Sequence, residues 1–490
     1  METRFQTAIV PFAMLLLAAC QTTPLSVQQN DLSTVPPPDL AIIPPDFLDD
    51  LCEDGMRDGV ETDVDCGGGT CKPCDEGKMC IKDSDCATKR CLKGICRRPA
   101  RPIAFADPTS QQTLLNGASA IHLAAADFNN DGKLDIATTD VSVLLGNGDT
   151  TLQPALNVGS IQPTWQPPPN AADVQVIALS GSQWPDIIAP TTTGHMPWGH
   201  DVDLFINQAL AWGSGQTPWS SPRSFSAAAP VSRLAVGDLN RDGVPDVVAA
   251  NDLLNDMTTT DGDTIAVLLG QFQGGGLLLP VTYGCPVGPR DVLLADFNGD
   301  GALDVLVATH FVIGTSETDE LAILLNKGDG TFTSTGRTAI DFLATLAVAD
   351  LDQDGHMDVV AGGFDLNGEF GLMTFRGNGD GTLQTGVSAS FPHGLPTPLA
   401  VADFDGDSLP DVMLPYAQEP RVNGLDFLAG DGRGGLLPEV PLTKTNWGGI
   451  STVSAMIAVD LDNDGRPDVV EAGSYNQFGT AVAVFRNISK

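Results

Sequence analysis

Residues 349–360 read ADLDQDGHMDVV. Asp350, Asp352, Asp354 and Asp358 stand between residues that otherwise suit a buried β-strand, and at neutral pH their carboxylates repel one another. Such a loop makes sense with a cation in it. The pattern recurs at Asp127 (DFNNDGKLDI), Asp238 (DLNRDGVPDV), Asp296 (DFNGDGALDV), Asp403 (DFDGDSLPDV) and Asp460 (DLDNDGRPDV), with a degenerate copy, ALSGSQWPDI, at Ala178. Successive starts lie 51, 60, 58, 54, 53 and 57 residues apart. Each copy has an apolar strand before it (LAVAD, VLLAD) and another after it (DVVAA, DVLVA).

A second marker follows every copy: VSVLLGNG, VDLFINQ, AVLLGQF, AILLNKG, LMTFRGN, LDFLAGD and VAVFRN. These are apolar strands ending in a Gly/Asn turn. A fourth stretch such as GTFTSTG completes a four-strand unit. Seven such units predict an all-β chain, a seven-bladed β-propeller of four-stranded blades over residues 101–490. The last repeat stops at VAVFRNISK without its fourth strand, and RPIAFADP, residues 101–108, looks like that strand. Joining the two would remove open sheet edges. A linear β-solenoid is the alternative, and the missing strand counts against it.

In D-x-[DN]-x-D-G-x-x-D, oxygens at positions 1, 3, 5 and 9 can point at one centre, with a backbone carbonyl at 7. That suits Ca²⁺, which takes six to eight flexible oxygen ligands, better than the tighter Mg²⁺ octahedron. The six intact copies supply Asp127, Asn129, Asp131 and Asp135; Asp238, Asn240, Asp242 and Asp246; Asp296, Asn298, Asp300 and Asp304; Asp350, Asp352, Asp354 and Asp358; Asp403, Asp405, Asp407 and Asp411; and Asp460, Asp462, Asp464 and Asp468. Ser408 replaces the usual Gly in the fifth of these. In the degenerate copy Ala178, Ser180 and Ser182 replace the ligands and only Asp186 remains. An EF-hand would need a bidentate Glu at position 12 and flanking helices. That position holds Thr138, Ala249, Val307, Ala361 and Leu414, and only the last copy has an acid, Glu471. The expected role of about six Ca²⁺ is structural, tightening each hairpin; ordinary Asp-Gly turns without metal are the alternative.

The formal net charge of −37, from 62 acidic and 25 basic residues, argues against nucleic acid, whose binding needs Lys and Arg on phosphates. The N-terminus, METRFQTAIVPFAMLLLAAC, has an apolar run too short to span a bilayer and fitting a signal peptide over residues 1–19. Its end, Leu17-Ala18-Ala19-Cys20, resembles the lipobox of bacterial lipoproteins. That resemblance implies lipidation of Cys20 and membrane attachment through the lipid, with Gln21 favouring the outer membrane. An ordinary signal peptide with an incidental cysteine is the alternative. Residues 20–50 are Pro-, Gln- and Ser/Thr-rich, as in an extended tether.

Residues 51–98 hold eight cysteines: Cys52, Cys66, Cys71, Cys74, Cys80, Cys86, Cys91 and Cys96. In an exported chain an even count in so short a segment reads as a disulfide framework, with the pairing open. Zinc at Cys71-x-x-Cys74 is the rival, without a second pair at finger spacing. The run CEDGMRDGVETDVDCGGGTCKPC resembles Cys-rich modules of predicted lipoproteins from myxobacteria-like bacteria, and reads as a spacer or docking knob.

The repeats resemble the FG-GAP/VCBS family, which includes the integrin α-subunit head. The resemblance covers about residues 101–490 and implies calcium hairpins on one face of the disc and partners on the other. Partner loops would then include residues 189–201, 250–264 and 309–320. Trp165, Trp184, Trp198, Trp212 and Trp219 cluster around the degenerate copy, beside His195, His200 and Asp201. Trp165, Trp198, His195 and His200 are candidate partner contacts; repacking of a blade that lost its ion is the other reading of the tryptophans, and a transition metal at His195 and His200 is a further one. No G-x-S-x-G, HExxH or Walker loop is present. Cys285 reads as a small buried hydrophobe.

The sequence therefore predicts an envelope-anchored, non-catalytic binding or adhesion platform for an extracellular or periplasmic protein or glycan. The runner-up is a propeller enzyme acting on extracellular polysaccharide. It requires a cluster of His, Arg, Lys or Tyr at the ring's central mouth, and the sequence shows only scattered ones. A purely structural envelope component is the third reading.

Overall fold

A computed structural model describes residues 57, 61–68, 71–115, 122–139, 141–158, 173–179, 184–190, 201–208, 212, 218–229, 231–251, 264–271, 275–285, 288–313, 316–340, 345–364, 370–390, 398–418, 421–443, 450–475 and 479–489. Residues 1–50, Cys52, Trp165, His195, Trp198 and His200 lie outside them, and so does what the sequence predicts for each.

Seven four-stranded antiparallel sheets make up the propeller. In blade 5 the order from the inside outward is Thr345–Ala349, Asp358–Phe364, Phe370–Phe375 and Val387–Ser390. The other innermost strands are Leu123–Ala126, Gln175–Ile177, Val231–Gly237, Pro289–Ala295, Ala400–Ala402 and Ile450–Val459. Each touches the innermost strands of both neighbouring blades, and the seventh touches the first, so the ring is closed. The solenoid alternative is thereby excluded.

The core is divided among the blade interfaces. Seven apolar clusters each join adjacent blades, such as Phe128, Ala137, Val143 and Ile187 between blades 1 and 2, and Leu351, Val360, Val412 and Leu414 between blades 5 and 6. Alternation along the second strand explains this: Val359 and Val360 are both fully buried because they face opposite neighbours. Strands buried on both faces read as continuous apolar runs.

The closing strand differs from expectation. Thr109–Leu115 pairs antiparallel with Gly479–Phe485 and forms the outer edge of blade 7. Residues 101–108 come before it and contribute a single bridge, Phe105 to Asn487. This equals the bridge between the end of the third strand and the start of the fourth in other blades, as in Gly377 with Leu383. Segment 101–108 is thus the approach, and the strand follows it. A second difference lies in blade 4, where the expected loop at 309–320 is a hairpin. Asp304–Ile313 and Ser316–Asn326 stay paired out to Ile313 opposite Ser316.

In the N-terminal module Cys66 joins Cys74, Cys80 joins Cys91 and Cys86 joins Cys96, and Cys71 is also disulfide-bonded. The zinc reading of Cys71 and Cys74 fails, because neither is a thiolate. Cys285 is half-buried and forms no disulfide. No helix is long and apolar enough to cross a membrane among the described residues.

Candidate metal centres

Each acidic loop joins the innermost strand of a blade to the second. In the loops of Asp127, Asp238, Asp350 and Asp460 position 1 accepts two backbone N–H groups, as when Asp127 takes Asp131 N at 3.0 Å and Gly132 N at 2.8 Å. Position 5 caps position 7, with Asp131 Oδ1 accepting Lys133 N at 3.0 Å. The turn needs left-handed backbone twice. At position 6 this falls to glycine in five loops and to Ser408, φ 71°, in the sixth. At position 4 Asn130, Arg241, Gln353 and Asn463 take it with φ between 54° and 60°.

Position 9 does something the motif does not disclose. In all seven blades one carboxylate oxygen accepts the N–H at position 2, at 2.8 to 3.2 Å. The other accepts an N–H at the end of the third strand, at 2.7 to 2.9 Å. These aspartates are wholly buried clamps. Asp186 keeps this role in blade 2, which explains why it survives where the other ligands are lost. Each clamp oxygen retains a second lone pair, so clamping leaves ligation open.

The third-strand residue the clamp holds is Gly146, Gly270, Gly377 or Gly430 in four blades and Asn207, Asn326 or Asn487 in three. At the glycines a Cβ would lie 2.0 to 2.5 Å from the carbonyl oxygen at loop position 8. The asparagines instead donate to that carbonyl, at 2.9 to 3.2 Å, and reach the position-2 carbonyl of the preceding blade at 2.8 Å. They staple blades 1 to 2, 3 to 4 and 6 to 7. The sequence hinted at this in the Gly-or-Asn ending of the third-strand marker.

The donors fit a divalent cation. Oxygens of Asp350, Asp352 and Asp358, of Asp403, Asp405 and Asp411, and of Asp460, Asp462 and Asp464 lie within 4.8 Å of one another in each set. Asp403 Oδ1 and Asp462 Oδ1 are buried and accept no hydrogen bond. Burial, with the neighbouring carboxylates adding to it, pushes Asp405 up to about 6 and Asp411 up to about 8. Burial likewise pushes Asp135, Asp358 and Asp468 to about 6, and raises Asp246 and Asp304, against their backbone hydrogen bonds. Acidic oxygens this close and this desolvated are able to bind a metal ion. Glu471 takes no part, since it is fully buried in the strand Asp468–Tyr475 and burial raises it well above the ordinary glutamate value.

Basic side chains already reach several loops. Asp352 receives Arg376, and Lys93 Nζ from the Cys-rich module at 2.8 Å. Burial raises Asp352, but Lys93 and Arg376 outweigh it and hold the carboxyl below the usual aspartate value. Arg90 of the module lies 2.6 Å from Asp407, and Ser408 Oγ lies 3.2 Å from Glu76. Arg486 meets Asp462 at 2.6 Å. The module therefore docks on the loop-bearing face at blades 5 and 6.

Of the described tryptophans near the degenerate blade, Trp219 is buried and packs edge-on against Phe128 and Trp212. Trp212 donates to Asn207 Oδ1 at 3.1 Å. Both belong to the core between blades 1 and 2. Asp201 begins the third strand of blade 2.

Residues 296–361 and 350–414 match the family described as FG-GAP-like repeat. The chain thus carries FG-GAP-like repeats in a seven-bladed propeller. No curated protein matches it in sequence. Among solved structures it is similar to a chain titled "Crystal structure of BBS1N in complex with ARL6DN, soaked with mercury", at 10% identity and TM-score 0.47, covering 78% of this chain and 96% of that one. A second, from the same complex soaked with lead, has 11% identity and TM-score 0.45 over the same shares. Likeness this slight carries no argument.

Proposed function

We propose that this protein is an envelope-anchored, calcium-stabilised binding platform without catalytic activity. The observation that carries the reading is the gathering of six acidic loops on one face of a closed ring, three of them with converging carboxylate oxygens and orphaned buried acceptors. Calcium there neutralises carboxylates that burial and mutual repulsion otherwise penalise, and stiffens the hairpins that carry the opposite face. Asp127, Asn129, Asp131 and Asp135, and the equivalent residues of the other five loops, hold the ions. Lipid at Cys20 tethers the chain to the outer membrane, and the partner is an extracellular or periplasmic protein or glycan.

A retention screen of the full chain on glycans and surface proteins, run in calcium and in EGTA, tests this. Binding that needs calcium supports it. A partner held equally well in EGTA removes the calcium-supported platform.

A further inference from the structure

The innermost strands repeat in register. Five residues before the first loop position stand His122, Asp173, Arg233 and Asp291 in blades 1 to 4, followed by Thr345, Pro398 and Ala455 in blades 5 to 7. Because innermost strands of adjacent blades touch around the axis, the four charged or ring-bearing residues share one end of the central channel. Five residues of strand place them about 16 Å from the acidic loops, on the opposite face. The Cys-rich module's Arg90, Lys93 and Glu76 reach the loop-bearing face instead.

The group is built rather than scattered. Asp173 is buried and its oxygens accept Val174 N and Leu234 N, both at 2.7 Å. That second bond ties it to the innermost strand of blade 3. His122 Nδ1 lies 3.3 Å from Asp173 Oδ1, with its side chain 30% exposed. Burial, with Arg233 beside it, outweighs Asp173 and lowers His122 to about 4, so the imidazole is neutral. A neutral ring whose Nδ1–H faces a carboxylate presents a bare Nε2, which is an acceptor. In the ring order Arg233 of blade 3 stands between Asp173 of blade 2, which His122 faces, and Asp291 of blade 4, and its Nη1 also donates to Ser232 O at 3.0 Å. Both Arg233 and Asp291 are half-buried.

We infer that this mouth binds the hydroxyl groups of an uncharged sugar or polyol, with His122 Nε2 and Asp291 accepting and Arg233 donating. The inference rests on the platform reading and names its ligand class and place. A hydroxyl both donates and accepts, and so satisfies an acceptor–donor–acceptor row. A carboxylate or phosphate meets two acceptors for one donor, and a cationic amine meets Arg233. A dicationic metal is disfavoured by the same guanidinium. An enzyme would need a cluster of His, Arg, Lys or Tyr at the mouth; this register supplies one of each of the first two, His122 and Arg233, beside two aspartates.

The test is saturation-transfer NMR and calorimetry on the full chain in calcium, with glucose, galactose, mannose, N-acetylglucosamine and their short oligomers, and with glucuronic and galacturonic acids. The expected result is binding of at least one neutral saccharide, weakened tenfold or more by His122→Ala and by Arg233→Gln. Asp291→Asn, nearly isosteric, should weaken it too while the melting temperature stays unchanged, which separates ligand contact from misfolding. Absence of any neutral binder, binding indifferent to all three changes, or preference for the uronic acids overturns the inference. If the variants still retain a partner found in the calcium-dependent screen, the platform stands and the mouth is not its site.

Discussion

Asp186 Oδ1 accepts a hydrogen bond from Asn207 N at 2.9 Å. This contact is present in the blade whose loop lacks the acids at positions 1, 3 and 5, so the clamp does not depend on them. Asp186→Asn puts an amide where an acceptor is needed twice over, leaving a buried N–H unpaired at a cost of about 1–3 kcal/mol. The melting temperature should fall by the same amount in calcium and in EGTA. Asp350→Asn also removes an acceptor, but the N–H groups it serves, on Asp354 and Gly355, are exposed and water can satisfy them, so it should lower the melting temperature in calcium with a smaller effect in EGTA. Thermal melts of the two variants in both conditions check the distinction.

Calcium should raise the melting temperature of the wild-type chain steeply. A single site at a hundred times its dissociation constant contributes about 2.7 kcal/mol, and six loops carry the ligand set. Calorimetric scans across a calcium series measure it; coincident melts with EGTA and with excess calcium exclude a stabilising ion.

The pH dependence without calcium follows from the buried aspartates. Their folded values lie above the unfolded one, at about 6 for Asp135, Asp358, Asp405 and Asp468 and about 8 for Asp411. Between the unfolded value and these, the folded chain holds more protons than the unfolded one, so stability rises as pH falls from about 8 towards 4. The cation-free protein should therefore melt higher at pH 5.5 than at pH 8, and calcium should erase the difference. Binding at pH 6.5 should release protons, read as a calorimetric enthalpy that varies with the buffer.

Lys93 and Arg90 hold two of the loops from outside the ring. Removing them takes away cations that compete with a metal. Lys93→Ala combined with Arg90→Ala should tighten calcium binding at the loops of blades 5 and 6 and lower the melting temperature in EGTA. It should also speed proteolysis between the module and blade 1. Calorimetric titration and limited proteolysis read the three effects.

The ring was legible because its markers are periodic: an acid loop, six times intact and once degenerate, and a Gly/Asn-terminated strand seven times. The acidic and amide side chains at positions 1, 3 and 5, the candidate cation ligands, were visible for the same reason. The clamp at position 9 was hidden, since a carboxylate that accepts two N–H groups and one that ligates a metal are the same letter. The mouth was hidden because His122, Asp173, Arg233 and Asp291 sit in four different repeats at one register, and only closure brings them together. Residues 101–108 were mistaken for the closing strand because Phe105 occupies the bridge position that opens every fourth strand. The 309–320 segment was mistaken for a loop because its polar residues mask a hairpin held by continuous backbone pairing.

The strand Thr109–Leu115 and its partner Gly479–Phe485 are separated by the whole of the first six blades. During synthesis the early strand waits, unpaired, while every blade but its own is completed. An exposed edge partner in one chain suits the waiting strand of another equally well. Refolding at high concentration therefore favours strand-exchanged dimers, and dilution favours rings sealed within a single molecule.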